Sequence, residues 1–491
     1  MSPKRYSMPG NSGGLFPRKG SVVNRRMNSR RLEGRVLLWF LGGAGFIVVA
    51  AALILMTSDE VRKVATTGLV DRMADAAEGF MTQATPVDAH ALAPNIYQAR
   101  GVSNTHLIDT GDSVVIFDTG LSIQATRQKR ALEELVGEKP VSHVILSHSH
   151  QDHVGGTQFW AEAETRIIAH REFAEEQRYL KDLEPYLYQR NRRLFPWMPE
   201  EPITRGPLSF GHVVPTQTIR NGEPYEFSQG GFRFEVLPTP GAEGLDNLSL
   251  WLPDQRILFV GDTLGPIFPQ FPNIFTMRGE KMRKPMEYIE SLNRLIDLNA
   301  EILVPGHLAP TRGAQEIREG LTRIRDAVQY VHDETVKGMN AGKTVWQLME
   351  EIQLPPELAL SQVHGRVSWG VRSLWEYYAT WFHYDSTTEL YPVPVRAVYA
   401  ELGELAGVEA LSRQARAALV AGEPVKALHF CEIALATDPG APAALMAQRD
   451  ALRVLLDRAR TGFETTYEII WLEGELEMTE GALAGPSPAS R

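Results

Sequence analysis

The chain has a single cysteine, Cys431, among 491 residues. No disulfide can close within it, and its stability has to come from buried surface. Cys431 lies in an apolar helical stretch and reads as a packing residue. Acidic residues are scarce at the amino end. Residues 1–35 hold nine Lys or Arg and one acid, Glu33, among many Ser, Gly, Pro and Asn residues, the composition of a disordered basic arm. Beyond the arm, cations are the scarcer charge. The whole-chain net charge is −10 and the arm contributes +8, which leaves roughly −18 on the remainder and argues against nucleic acid as a main partner. Val36 to Met56 contains no charged residue at all. About 20 apolar residues span a bilayer's hydrocarbon core, so 36–56 is expected to be an uncleaved transmembrane signal-anchor helix, with a cleaved signal peptide as the other reading. The basic arm ahead of it predicts a cytoplasmic amino end. The protein would then be single-pass, with its catalytic domain on the periplasmic, extracytoplasmic side. Residues 57–90 read as a polar, Ala-rich helical connector, and 481–491 as a disordered tail of Gly, Ala, Ser and Pro.

What the sequence does have in abundance, at one place, is metal-ligand chemistry. Val144-Ile-Leu146 reads as a buried strand, and Ser147-His148-Ser149-His150-Gln151-Asp152-His153 follows at once, closed by Gly155-Gly156. Imidazole and carboxylate at this density suit a divalent transition metal, zinc above all. His148 and His150, two apart on an extended segment, face the same way. Asp152 and His153 follow the bend, so one tight turn can offer two ligand sets.

Other strands end in comparable residues. His106 to Phe117 reads as a hairpin with a Gly-Asp turn, leading into Asp118-Thr-Gly. Phe232–Leu237 runs into Pro238-Thr-Pro-Gly241-Ala242-Glu243. Arg256–Val260 leads to Gly261-Asp262, and Ile302–Pro305 to Gly306-His307. The segment 184–222, with Tyr186, Tyr188, Phe195, Trp197 and Phe210, is either a wall of an apolar channel or a packed loop. A long helix is expected over Gln315–Met339 and a shorter one over Val345–Ile352, with another opened by Pro355-Pro356. Arg366–Asp385, dense in Trp and Tyr, reads either as core or as a flap over the site. Val408–Val420, Pro424–Thr437 and Ala441–Asp457 read as three amphipathic helices.

The pattern H-x-H-x-D-H, with the later Gly-Asp and Gly-His strand ends, closely resembles the metallo-β-lactamase superfamily. Within it the chain resembles the alkyl sulfatase branch. Glu243 stands where most of the superfamily has histidine. Asn273-Ile-Phe-Thr276-Met-Arg278-Gly279 looks like that branch's sulfate-binding segment. The later helices resemble its dimerisation domain. The resemblance implies an α/β fold, an αββα sandwich over 91–320, followed by an all-α domain over 321–480 that forms a homodimer. It implies two zinc ions, the first on His148, His150 and Glu243, the second on Asp152, His153 and His307, with Asp262 bridging and Asp118 supporting them. Asp152 and Arg278 would serve catalysis, Arg278 gripping sulfate with Asn273 and Thr276. The expected reaction is hydrolysis of an alkyl sulfate to alcohol and sulfate, or else of another anionic ester (thioester, lactone or phosphoester). Two features depart from the branch. Gly261 stands where it usually carries a bridging glutamate, and no sterol-carrier-like domain follows the helices.

Overall fold

A computed structural model describes residues 86–195, 198, 200–201, 213–241, 243–462 and 465–485. Thirteen strands run β1 (Ala89–Ala93), β2 (Ile96–Ala99), β3 (Thr105–Asp109), β4 (Val114–Phe117), β5 (Val141–Ile145), β6 (Arg166–His170), β7 (Gln217–Ile219), β8 (Tyr225–Gln229), β9 (Phe232–Pro238), β10 (Leu248–Leu252), β11 (Ile257–Gly261), β12 (Ile302–Pro305) and β13 (Thr311–Arg312). The helices of the first part are α1 (Ser122–Val136), α2 (Gln151–Val154), α3 (Thr157–Trp160), α4 (Phe173–Asp182), α5 (Glu184–Leu194), α6 (Pro285–Asp297) and α7 (Ala314–Asn340). Then come α8 (Val345–Glu351), α9 (Val367–Ala379), α10 (Tyr399–Ala406), α11 (Val408–Val420), α12 (Pro424–Thr437), α13 (Pro442–Thr461) and α14 (Thr466–Ala484).

Strands β1 to β7 form one sheet in sequence order, antiparallel up to β4 and parallel from β4 to β7. The second sheet runs β13-β12-β11-β10-β9-β8, with β11 and β12 parallel. Alternation along each strand sends one set of side chains to the partner sheet and the other to the helices. Phe117, Ile145 and Ile168 meet Phe234, Leu250 and Phe259 between the sheets. On the outer face of the first sheet Ile116, Val144 and Leu146 pack with Leu132 and Trp160. On the outer face of the second, Trp251, Leu258 and Val260 pack with Leu292 of α6 and Ile324 and Val328 of α7. The result is four layers, helix–sheet–sheet–helix, followed by helices.

Those helices meet through small residues. Ala415, Ala418, Ala427, Cys431, Ala447 and Ala451 are all buried in one cluster, which allows close helix approach and gives Cys431 its packing role. The last helix, α14, returns to the first part of the chain. Thr466 N–H donates to Val363 O at 2.8 Å, Arg366 Nη1 lies 2.5 Å from Glu468 Oε2, and Arg193 of α5 stacks on Trp471 with 4.1 Å to the ring centre.

Several expectations need correction. The anchor expected over 36–56 lies outside the described residues. Among the described residues no helix is long and apolar enough to cross a membrane, and the single-pass, extracytoplasmic placement is withdrawn on that ground. The connector cannot run to residue 90, because β1 opens at Ala89. A boundary at 320/321 would cut α7 in two, since one continuous apolar stripe carries that helix across it. The tail cannot begin at 481, because α14 continues to Ala484. Pro355-Pro356 opens only a single 3-10 turn, Pro356–Leu358. Part of the 184–222 segment is a regular helix, α5. The aromatic segment 366–385 divides: α9 packs Val367, Val371, Leu374 and Trp375 into the core, whereas beyond it Trp381 and Tyr384 are 70% and 87% exposed.

The metal-ligand turn depends on close packing at Gly156. A Cβ there would stand 2.1 Å from Thr119 O and 2.5 Å from Ala125 Cβ, and both belong to fixed structure. Gly156→Ala is therefore expected to destabilise the fold by about 1–3 kcal/mol as an overpacked site. Denaturant unfolding would register this as a lower midpoint at unchanged slope. An unchanged midpoint would show that the turn relaxes at no cost.

Candidate metal centre

The site lies where strand ends of both sheets converge. The two sheets are stitched together there by backbone: Leu248 N–H donates to Ser147 O at 2.7 Å, and Asn104 N–H to Gly306 O at 2.7 Å. From β4 comes Asp118, fully buried, with a left-handed φ of 56°. Its carboxylate accepts three hydrogen bonds, from Ser147 N–H, Ser147 Oγ–H and His153 Nδ1–H, each at 2.8 Å.

All four histidines follow one rule. Each has one ring nitrogen engaged from outside, which fixes the tautomer and leaves the other nitrogen bare toward the centre. His153 donates through Nδ1 to Asp118, leaving Nε2. His148 Nδ1 meets Ser147 Oγ at 2.9 Å, leaving Nε2. His307 donates through Nδ1 to the Val102 carbonyl, leaving Nε2. His150 presents Nε2 to Glu280 Oε1 at 3.4 Å, leaving Nδ1.

The bare atoms fall into two groups. His148 Nε2 and His150 Nδ1 are 2.8 Å apart, with Glu243 Oε1 3.6 Å from His150 Nδ1. Asp152 Oδ2 is 3.5 Å from His153 Nε2 and 3.5 Å from His307 Nε2. Asp262 reaches His153 Nε2 with Oδ1 at 3.4 Å and His307 Nε2 with Oδ2 at 3.0 Å, and it clusters with His148 as well. All seven sequence-expected ligands are thus brought together. The donor set fits a cation. His153 Nε2 and Asp262 Oδ1 are buried side by side without a hydrogen-bond partner among the described residues, which is costly for both unless an ion lies between them.

The charges agree. Burial opposes a proton on His307, but Asp262 and Asp152 outweigh it and raise its pKa to about 9. Burial likewise opposes charge on His153, and Asp262, Asp152 and Asp118 lift it well above its ordinary value. His148, penalised by burial and by its histidine neighbours, is held well below.

Arg278 comes from the loop before α6. That loop is clamped by α5, since Arg190 donates to Met277 O at 3.0 Å and to Arg278 O at 3.3 Å. Arg278 Nη2 lies 3.0 Å from Glu243 Oε1 and 3.2 Å from Glu280 Oε1, so Arg278 borders the first ligand group. Asn273 and Thr276 are buried on the same loop. Asn273 Nδ2, Thr276 Oγ1 and Arg278 Nε have no hydrogen-bond partner among the described residues.

The sequence reading missed four residues at this site. Arg283, buried, pairs with the other oxygen of Glu243 and donates Nε to its backbone oxygen at 3.2 Å. Glu280 pairs with His150 and Arg278. From the helical part, burial and then Arg283 and Arg278 lower the pKa of His364 to about 3. Its ring lies 5.4 Å from that of Tyr467, whose pKa is raised, chiefly by burial. None of the four sits at the end of an apolar strand, the signal that marks the ligands, so nothing local in the sequence points to them.

Residues 99–307 match the metallo-beta-lactamase superfamily, and residues 344–479 the alkyl sulfatase dimerisation family. A linear primary-alkylsulfatase of a Pseudomonas species is 31% identical over 313 residues, 59% of this chain and 58% of that protein. An alkyl/aryl-sulfatase of Saccharomyces cerevisiae is 26% identical over 420 residues, 79% of this chain and 64% of its own length. The chain therefore spans roughly three fifths of the length of these curated relatives. Among solved structures, the stereoselective inverting sec-alkylsulfatase Pisa1 from Pseudomonas sp. superimposes with a TM-score of 0.68 at 20% identity, over 80% of this chain and 66% of that one, a likeness of fold. The chain thus joins a metallo-β-lactamase superfamily domain to an alkyl sulfatase dimerisation domain.

Proposed function

We propose that the protein is a dizinc hydrolase that cleaves alkyl sulfate esters to an alcohol and inorganic sulfate. The observation that carries this reading is the loop from Asn273 to Arg278. Three polar atoms on it, Asn273 Nδ2, Thr276 Oγ1 and Arg278 Nε, are buried with no hydrogen-bond partner among the described residues, beside a metal-ligand cluster. Buried polar groups without partners are costly, and an anion with several oxygens is what such a set of groups can hold. The names of the related alkylsulfatases point the same way.

In this reading His148, His150 and Glu243 would hold one zinc and Asp152, His153 and His307 the other, and Asp262 would serve as a further ligand beside His148, His153 and His307. When bound, zinc supplies a water whose pKa falls from about 15.7 to about 7, and positive charge for an anionic substrate. The chain's own residues orient and select. Arg278 grips the sulfate oxygens with its planar fork, Asn273 and Thr276 fix their direction, and Arg283 keeps Glu243 in place. Tyr467 is buried close enough to Arg278, Glu243, Glu280 and Arg283 to feel their charges, and its hydroxyl stays protonated at neutral pH. A second copy pairs through the region that matches the alkyl sulfatase dimerisation family, where the segment between α9 and α10 exposes Trp381, Tyr384, Tyr391 and Val395.

Arg278→Ala is expected to cut sulfate release from a medium-chain alkyl sulfate by about 10²–10³-fold, as for loss of one charge-stabilising donor, with two zincs still bound. Wild-type protein with two zincs and no sulfate release would move the reading to another ester. The metal assignment has its own test. At neutral pH, zinc must displace protons held on His307, whose pKa is about 9, and on His153. Zinc affinity should therefore climb from pH 6 to pH 8, by about tenfold per unit for each displaced proton. Chelator competition across that range measures it, and a flat profile would contradict this ligand set.

A further inference from the structure

We infer that Glu280 is a positioning residue that ties the first metal's ligands to the anion-gripping arginine. The inference rests on the dizinc reading above. Glu280 has two partners at once. Its Oε1 faces His150 Nε2 at 3.4 Å and Arg278 Nη2 at 3.2 Å, and its Oε2 lies 3.3 Å from the same Arg278 nitrogen. It is held in place, because the loop that carries it is tethered on both sides. Arg190 bonds to the carbonyls of Met277 and Arg278, and Lys281 Nζ donates to Glu176 at 2.6 Å.

Two consequences follow for the first metal. His150 is the one histidine of the four whose outer partner is a side chain from this loop, and that contact turns Nδ1 toward His148 Nε2 and Glu243 Oε1. Without Glu280, the ring is free to take the other tautomer or to rotate. Arg278 also competes for Glu243. Its Nη2 lies 3.0 Å from Glu243 Oε1, the same oxygen that faces His150 Nδ1. Glu280 shares that guanidinium and limits its pull on the ligand oxygen. The carboxylate thus keeps His150 aimed, keeps Glu243 available and sets the direction of the Arg278 fork. The second metal's histidines, His153 and His307, take their outer partners elsewhere, from Asp118 and the Val102 carbonyl.

The two metal sites should therefore respond differently. Stepwise zinc affinities, measured by competition with a chromophoric chelator, are compared in wild type, Glu280→Ala and Glu280→Gln, with visible spectra of the cobalt-substituted forms. In Glu280→Ala one zinc is expected to weaken by about 10–100-fold, the usual effect of losing a ligand's outer partner, while the other holds. Glu280→Gln keeps the volume and an oxygen acceptor for His150, and should recover most of that affinity. Its affinity for inorganic sulfate should still change, because the charge facing Arg278 is gone. A merely structural role would weaken both zincs together and lower the melting temperature equally in both variants.

Two zincs held in Glu280→Ala as tightly as in wild type would overturn the inference, as would equal weakening of both sites or a wild type that binds fewer than two. The sulfatase reading fails separately. Wild type with two zincs and no sulfate release removes that substrate and leaves the metal result standing. Wild type that releases sulfate, with unchanged zinc affinity in Glu280→Ala, removes only the role given to Glu280.

Discussion

One buried carboxylate sets the geometry of the ligand turn. Asp118 accepts from Ser147 N–H, Ser147 Oγ–H and His153 Nδ1–H, and Ser147 Oγ in turn meets His148 Nδ1. A single group at the end of β4 thereby fixes the first residue of the turn, the tautomer of one histidine directly and the tautomer of another through a serine. The backbone adds to this hold: Thr119 N–H donates to His153 O at 2.7 Å. Because Asp118 is fully buried, a lost partner would leave a carboxylate lone pair unsatisfied, and the whole turn would share that cost. The arrangement is rigid before any ion arrives, which is the property a metal site needs when its ligands come from four separate strand ends.

The electrostatics of the centre follow from that rigidity. Asp152, Asp262 and Glu243 are held within a few ångströms of one another's histidines, where carboxylates repel each other and cannot move apart. In the bare chain the compensating charge is protonic, which is why His153 and His307 titrate high although burial alone would push them low. His148 takes the opposite course, since burial and its histidine neighbours outweigh Asp262. The centre is thus poised to exchange protons for cations at some of its imidazoles while offering a neutral ligand at another.

Much of this was legible in the sequence because each ligand sits at the end of an apolar strand. Val144–Leu146, Arg256–Val260 and Ile302–Pro305 declare themselves by hydrophobic runs, and Asp262 and His307 follow at their ends. Asp118 was legible for the same reason. Glu280, Arg283, His364 and Tyr467 were not, because irregular segments or a distant helix bring them in and nothing local marks them. Tyr467 lies 189 positions from Arg278 in sequence, and reaches it only because α14 is tied back through Thr466 N–H to Val363 O and Arg366 to Glu468. Long-range closure of this kind leaves no periodic trace. The core role expected for 366–385 holds along α9 but fails at Trp381 and Tyr384 for a related reason: composition gives apolarity, but not whether a surface faces the core or solvent.

Gly261 unites the local and the global constraints. The residue takes φ of +51°, which disfavours any side chain, and a Cβ there would stand 2.5 Å from Ser147 Cβ and 2.6 Å from Ser147 Oγ. Ser147 cannot yield, because it is held by Asp118 and holds His148. A glutamate at 261 is therefore incompatible with this turn. Any carboxylate between the two ligand groups has to come from the next residue, and Asp262 points its two oxygens at His153 and His307 from there. The departure of Gly261 from the alkyl sulfatase pattern and the placement of Asp262 beside His148, His153 and His307 are two sides of one packing constraint, set by a serine at the end of a strand of the other sheet.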